Sequence, residues 1–252
     1  MKAEVHAVSH VGYRRERNED YVFTGIRSLR DDEAVDEIEI MPDRVLFFAV
    51  ADGLGGEAAG EVASETAVQV FSEGLATLAP HATPGEVEQR FKGLTARTQK
   101  VLEEMGRKDP SLSGLGTTLT GVLLLQGVWY WVHVGDTRLY RFQDGNLIQI
   151  SRDHTLRELY HSSIIPPNIL SNCFGGGTEA VYCDFGVLPS IKAERDAILI
   201  TSDGLHDHVS HTIIEEILQN NPENPLPQLL QAGLDAGGVD NISCLYIKVR
   251  DE

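Results

Sequence analysis

A chain of 252 residues with 42% hydrophobic content can build one large core or two small ones. Its 38 Asp and Glu against 21 Lys and Arg leave a net charge of −17, which repels polyanions and argues against nucleic acid or an anionic lipid surface as a natural partner. The three cysteines, Cys173, Cys183 and Cys244, are odd in number, widely spaced and without a CxxC, which argues against a disulfide framework or a zinc knuckle.

In chain order, the N-terminus MKAEVHAVSH has no apolar signal-peptide core, and AEVHAVSH (3–10) alternates weakly as a strand does. YVFTGI (21–26) reads as a second strand. RSLRDDEAVDEIEIMPD (27–43) is acidic without a clear period and reads as a surface loop. The unbroken apolar run RVLFFAVA (44–51) predicts a buried strand. From Ala58 to Leu78 apolar residues recur at helical spacing. TPGE (83–86) has capping-box form with Pro at the first helical position and opens a second long helix through Val87, Phe91, Leu94, Val101 and Met105. Strands follow at TTLTGVLLLQ (117–126), VWYWVHV (128–134), RLYRF (138–142) and LIQI (147–150), with QDGN between the last two as a hairpin turn. A short helix is expected near Asp153. Residues 161–177, with two prolines and three glycines, read as an irregular loop. AVYCDFGV (180–187) and AILITS (197–202) read as strands. Thr212 and Glu215 have capping-box spacing at the start of a helix, a last helix covers about 225–236, and ISCLYIKV (242–249) closes as a strand. This order is no βαβ alternation, so mostly antiparallel sheets with helices packed outside are expected. No window approaches the ~18 to 20 apolar residues of a membrane span, and the chain reads as a reduced, cytoplasmic protein without a membrane partner.

Carboxylates gather where strands meet turns: Glu19 and Asp20 in RNED, Asp52 in ADG, Asp136 in VGDTR, Asp203 in SDG and Asp240 in VDN. Any one of them is accounted for as a turn residue before Gly or Asn. The repeated pattern of apolar strand then Asp-Gly, FFAVADG and ILITSDG, points further. Glycine lets backbone approach a ligand, and carboxylates, a carbonyl and water are what hard divalent cations prefer. Converging carboxylates repel unless a cation stands among them. Two Mg²⁺ or Mn²⁺ about 4 Å apart, sharing one Asp, explain the collection. RRER (14–17), a basic knot just before NED, reads either as a solvated charge run or as a phosphate-binding arginine beside that site.

These motifs stand in order over almost the whole chain: SHVGYRRERNED, FFAVADGLGGEAAGEVAS, GLGTTLTGVLL, WVHVGDTRLYRF, SRDHTLREL, ILITSDGLHDHVS and GGVDNISCLYIKV. Together they resemble the compact bacterial members of the PP2C (PPM) family of metal-dependent protein phosphatases. The resemblance implies an α+β fold, a four-layer α/β/β/α sandwich of two mainly antiparallel sheets flanked by helices, with one phosphatase domain over residues 1–252. It implies hydrolysis of phosphoserine and phosphothreonine in proteins by a hydroxide bridging two Mn²⁺ or Mg²⁺ ions, opposite a Ser/Thr kinase, by a cytoplasmic monomer. Carried over by position, Arg15 binds the phosphate, Asp52 bridges both metals, and the Gly53 carbonyl serves the second. Asp203 and Asp240 bind the first, Glu19 and Asp20 hold metal-bound waters, and Asp136 with Asp203 binds a third, weaker ion. Asn241 orients the loop.

Two departures stand out. Some relatives carry a His directly after Asp-Gly as a proposed general acid, where this chain has Leu54, with Glu57 after the glycines. The proton then comes from a metal-bound water or from His154 in RDHT, which also reads as a structural hydrogen bonder. The flap after RDHT, about 155–178, is short and rich in Pro and Gly, which leaves substrate choice and third-metal affinity open. HDHVSH (His206, His208, His211) reads as a solvated turn. The rival readings are a regulatory phosphatase acting on an anti-sigma antagonist and a non-catalytic phosphoprotein-binding module.

Overall fold

The computed structural model of the chain describes residues 1–54, 59–193 and 195–251. Two six-stranded sheets lie face to face. The first runs in spatial order Asn146–Gln149, Arg138–Gln143, Asp196–Thr201, Ile242–Arg250, Lys2–His10, Asp32–Glu39; the second runs Asp184–Val187, Val128–Val134, Leu119–Leu125, Leu46–Ala51, Tyr21–Phe23, Ser28–Leu29. Neighbouring strands pair antiparallel throughout both sheets. A small sheet of Phe174–Gly175, Gly116–Thr117 and Gly53–Leu54 sits at one end.

The central strands read as unbroken apolar runs because both of their faces are covered. In Leu46–Ala51, residues Leu46, Phe48 and Val50 point into the core between the sheets. Phe47, Ala49 and Ala51 point the other way, onto the helices Ala59–Ala76 and Pro84–Lys108. In Asp196–Thr201 the same alternation sends Ile198 and Ile200 between the sheets. Ala197 and Leu199 meet the outer layer formed by the helices His211–Asn220 and Leu226–Asp235. The result is the expected helix, sheet, sheet, helix stack.

Several local expectations hold. Thr83 and Glu86 form the capping box that opens Pro84–Lys108, and Asp144 (φ 50°) and Gly145 (φ 81°) make the tight hairpin turn. Others need correction. The expected surface loop at 27–43 contains the strand Asp32–Glu39, paired to Lys2–His10. Its inward residues are Ala34, Asp36 and Ile38, and the charge of Asp36 hides the period. The strand expected at 21–26 stops at Phe23, and the one expected at 180–187 begins only at Asp184. Thr212 and Glu215 make no capping box: Ser210 caps the helix, and Glu215 accepts from the Leu147 amide at 2.7 Å. HDHVSH is only partly a solvated turn, since His206 is buried in the short helix Asp203–His206 and lies 2.7 Å from Thr201 Oγ1.

Candidate active site

The strand ends converge on a cavity of about 180 Å³ lined by Arg15, Glu19, Asp52, Gly53, Leu54, Asp136, Asn168, Leu170, Asp203 and Asp240. Asp52 directly follows Leu46–Ala51 of one sheet, and Asp203 lies two residues beyond Asp196–Thr201 of the other. Asp136 stands between Val128–Val134 and Arg138–Gln143, and Asp240 just before Ile242–Arg250. The site therefore spans the seam between two rigid sheets.

Asp52 is held through its backbone by a neighbouring strand. Thr118 Oγ1 accepts from the Asp52 amide at 3.0 Å, while the Thr118 amide (2.9 Å) and Thr117 Oγ1 (2.8 Å) donate to the Asp52 carbonyl. Asn241 staples the loop that carries Arg15 and Glu19. Its Oδ1 accepts from the Glu19 amide at 2.8 Å, and its Nδ2 donates to the Val11 and Arg17 carbonyls, both at 2.9 Å. Arg15 Nη2 donates to Asp240 Oδ2 at 2.6 Å.

The electrostatics are those of a site short of positive charge. Asp20 is fully buried behind the cavity and accepts from Ser202 Oγ at 2.8 Å. Burial, reinforced by Asp203 and Asp240, pushes its pKa up to about 7. Burial and the neighbouring Asp240 lift Asp203 to about 6. Asp52 and Asp136 are raised well above the ordinary range by burial first and by their carboxylate neighbours second. The Asp52 and Asp203 carboxyls face each other closely enough for each to shift the other. Among the described residues, buried oxygens of Glu19 (Oε1), Asp20 (Oδ1) and Asp203 (Oδ1) have no hydrogen-bond partner. Buried carboxylate oxygens without donors are the ligands a hard divalent cation takes, so the residues fit Mg²⁺ or Mn²⁺. Among the described residues, no three His, Cys, Asp or Glu side chains already close into a cation cage. Water and backbone carbonyl would complete the coordination shell, as suits ions that keep several waters.

Of the residues singled out in the sequence, Arg15, Glu19, Asp52, Gly53, Asp136, Asp203 and Asp240 line the one cavity. Asp20 lies behind it, and Leu54 occupies its wall. Glu57 falls outside the described residues. His154 is not among the lining residues. Burial lowers its pKa against the pull of Asp184, and both ring nitrogens are engaged, Nδ1 by the Gly135 amide and Asn172 and Nε2 by Asp184. His206, His208 and His211 form no metal group among the described residues. Sequence reasoning missed Asn168 and Leu170, flap residues on the cavity wall. It also missed the holding roles of Thr117 and Thr118, although GTT stands in a quoted motif.

A model described as protein phosphatase 2C matches residues 27–230. The serine/threonine protein phosphatase PstP of Mycobacterium tuberculosis is 31% identical over 253 residues, covering 97% of this chain, and the chain spans 45% of the length of that relative. The serine/threonine phosphatase stp of Listeria monocytogenes is 31% identical over 211 residues, 79% of this chain and 82% of the relative. The crystal structure of the catalytic domain of PstP in complex with two manganese ions matches with a TM-score of 0.76 and 28% identity, covering 99% of this chain and 100% of that one. The carboxylates at the seam and these likenesses agree, and the chain belongs to the protein phosphatase 2C family.

Proposed function

We propose that this chain hydrolyses phosphoserine and phosphothreonine in proteins with two Mn²⁺ or Mg²⁺ ions. The observation that carries the reading is the acidic cavity of about 180 Å³, with Arg15 at its mouth and buried carboxylates on its floor. Asp52 would be common to both ions, with Asp203 and Asp240 on the first and the Gly53 carbonyl on the second. Glu19 and Asp20 would hold ligand waters, and Asp136 with Asp203 would offer a place for a third ion. Bound divalent cations supply Lewis acidity and an acidified water as nucleophile.

The chain's own residues do the rest. The Arg15 guanidinium, half exposed beside Asp240, presents parallel N–H donors to the phosphate oxygens and stabilises the charge that grows on them. The strand ends keep the carboxylates from shifting as charge moves, so little reorganisation is needed in the reaction. Leu54 cannot donate a proton, and the one N–H of neutral His154 is committed to Asp184, so the leaving oxygen takes its proton from water in the cleft. We take residues 1–252 as one phosphatase domain that acts as a cytoplasmic monomer on the products of a Ser/Thr kinase. No helix among the described residues is long and apolar enough to cross a membrane. A non-catalytic binding module would not need this many buried carboxylates.

Hydrolysis of a small aryl phosphate and of a phosphothreonine peptide, with Mn²⁺, with Mg²⁺ and with a chelator, tests the reading. Turnover should require the cation and fall sharply in Arg15→Ala. Absent turnover in the wild type, or turnover indifferent to the chelator, overturns it.

A further inference from the structure

His154 is a buried polar residue that the proposed chemistry does not use. It sits where two parts of the cleft meet. On one side is the turn that carries Asp136: the His154 amide donates to the Gly135 carbonyl at 2.7 Å, and the Gly135 amide donates back to His154 Nδ1 at 3.1 Å. On the other side is the returning limb of the flap. The Ser171 amide donates to the His154 carbonyl at 2.8 Å, and Asn172 Nδ2 donates to the same Nδ1 at 2.8 Å. The ladder continues through Thr155 opposite Leu170 and the Leu156 amide on the Ile169 carbonyl. Asn168 and Leu170 of this limb face the cavity.

Two N–H donors on Nδ1 require that nitrogen to be unprotonated, which places the ring proton on Nε2, facing Asp184 Oδ2 at 3.2 Å. Gly135 is itself closely packed. Its φ is +106°, and a Cβ there would lie 2.5 Å from Thr118 Cβ. Thr118 is the residue that holds the Asp52 backbone.

We infer that His154 is a positioning residue that locks the flap wall, through a single acceptor nitrogen, to the turn presenting Asp136. The inference rests on the phosphatase reading only for its consequence in catalysis. A small aryl phosphate ends at the cavity wall formed by Asn168 and Leu170, whereas an extended phosphopeptide runs on over the flap, so loosening the flap weakens peptide binding more than it slows chemistry on the small substrate.

The test compares three substitutions. His154→Ala leaves the Gly135 amide unpaired and Asn172 Nδ2 with only its bond to the Tyr182 carbonyl. His154→Asn restores an acceptor near the Nδ1 position, and His154→Gln places its polar end near Nε2 instead. Hydrogen exchange of segments 135–137 and 168–173, measured in chelator, should quicken together in the Ala and Gln variants and stay near wild type in the Asn variant. With saturating Mn²⁺, KM for a phosphothreonine peptide should rise about tenfold in Ala and Gln, with kcat on the aryl phosphate within about threefold of wild type. Asn172→Ala keeps the histidine but removes this donor, together with the two bonds Asn172 makes to the Tyr182 backbone, and should raise the peptide KM at least about fivefold. Equal damage in the Asn and Gln variants, or exchange at 168–173 unchanged in His154→Ala, overturns the proposal. So does a loss of kcat together with the alkaline limb of the pH profile, which would make His154 the proton donor. If the wild type hydrolyses neither substrate, the phosphatase reading fails, and the exchange measurements still decide the coupling.

Discussion

The two Asp-Gly corners begin alike and end differently. Asp52–Gly53 follows a fully buried strand of one sheet, and Asp203–Gly204 closely follows a fully buried strand of the other. Both aspartates line the same cavity. After Asp52 the chain stays extended, and Gly53–Leu54 pairs with Gly116–Thr117. After Ser202 it turns at once into the short helix Asp203–His206. Asp52 is gripped through its backbone by Thr117 and Thr118. The chain before Asp203 is gripped at Ser202, whose amide donates to the Ser243 carbonyl and whose Oγ donates to Asp20. What the corners share is crowding. A Cβ on residue 53 would meet the Gly60 carbonyl oxygen at 2.2 Å, and one on residue 204 would meet the Asn241 carbonyl oxygen at 2.0 Å. The recurring dipeptide thus records a common demand, a carboxylate at a rigid edge with another backbone pressed against the next residue, and leaves the path of the chain free.

The sharpest way to break the comparison is to remove one carboxylate at a time. If Asp52 is the shared ligand, Asp52→Asn takes Mn²⁺-dependent turnover below detection at any Mn²⁺ concentration. Asp203→Asn keeps measurable turnover that needs more Mn²⁺, by at least the roughly 10- to 100-fold in apparent affinity that losing an outer-shell partner costs. In chelator both variants should melt above the wild type, because each removes a buried like charge from its neighbours. The opposite order of activities, or lower melting temperatures in chelator, would show that the corners have been assigned the wrong way round. A smaller effect comes from the glycines. Gly53→Ala and Gly204→Ala should each cost about 1–3 kcal/mol by overpacking against a carbonyl, read from chemical denaturation in chelator. A neutral result at either corner would mean that its backbone can give way, and that the glycine there serves the ligand alone.

The features readable in the sequence were those set by neighbours in the chain. The strands buried on both faces announced themselves as unbroken apolar runs, the QDGN turn as a hairpin and Thr83–Glu86 as a cap, because each rests on contacts a few residues apart. The carboxylates of the site were readable for the same reason, since Asp-Gly at a strand end is a local pattern. What escaped depends on distant partners. Asp36 points inward because Arg27 Nη2 lies 2.6 Å and Thr24 Oγ1 2.8 Å from its carboxylate, and nothing in DEAVDEIE foretells that. Glu215 has the spacing of a capping residue but is taken by the Leu147 amide, 68 residues away. Asn168 and Leu170 reach the cavity from a loop without periodicity. His154 looked free to move a proton until Gly135, Asn172 and Asp184 were seen around it.

The smallest expected effect concerns the third corner, Gly135–Asp136, which lacks the Asp-Gly order and is braced by histidines instead. His133, three residues before Asp136, is wholly buried. Its Nε2 donates to the Arg152 carbonyl at 3.0 Å, and its Nδ1 lies 2.7 Å from Thr120 Oγ1. Burial, with His154 close by, lowers its pKa to about 3. In the unfolded chain the same ring titrates at about 6.5. Between these values the unfolded state binds a proton that the folded state refuses, so this histidine costs no stability above about pH 6.5 and costs progressively more as the pH falls toward 3. His133→Gln, whose amide can still donate toward Arg152, removes that proton from the unfolded state. Below pH 6 the stability difference between wild type and variant should therefore change by about 1.4 kcal/mol per pH unit, in favour of the variant as acid is added. Denaturation curves at several pH values between 4.5 and 7 would read it. A difference independent of pH would mean that His133 takes up its proton in the folded protein, and that the brace behind Asp136 opens to water.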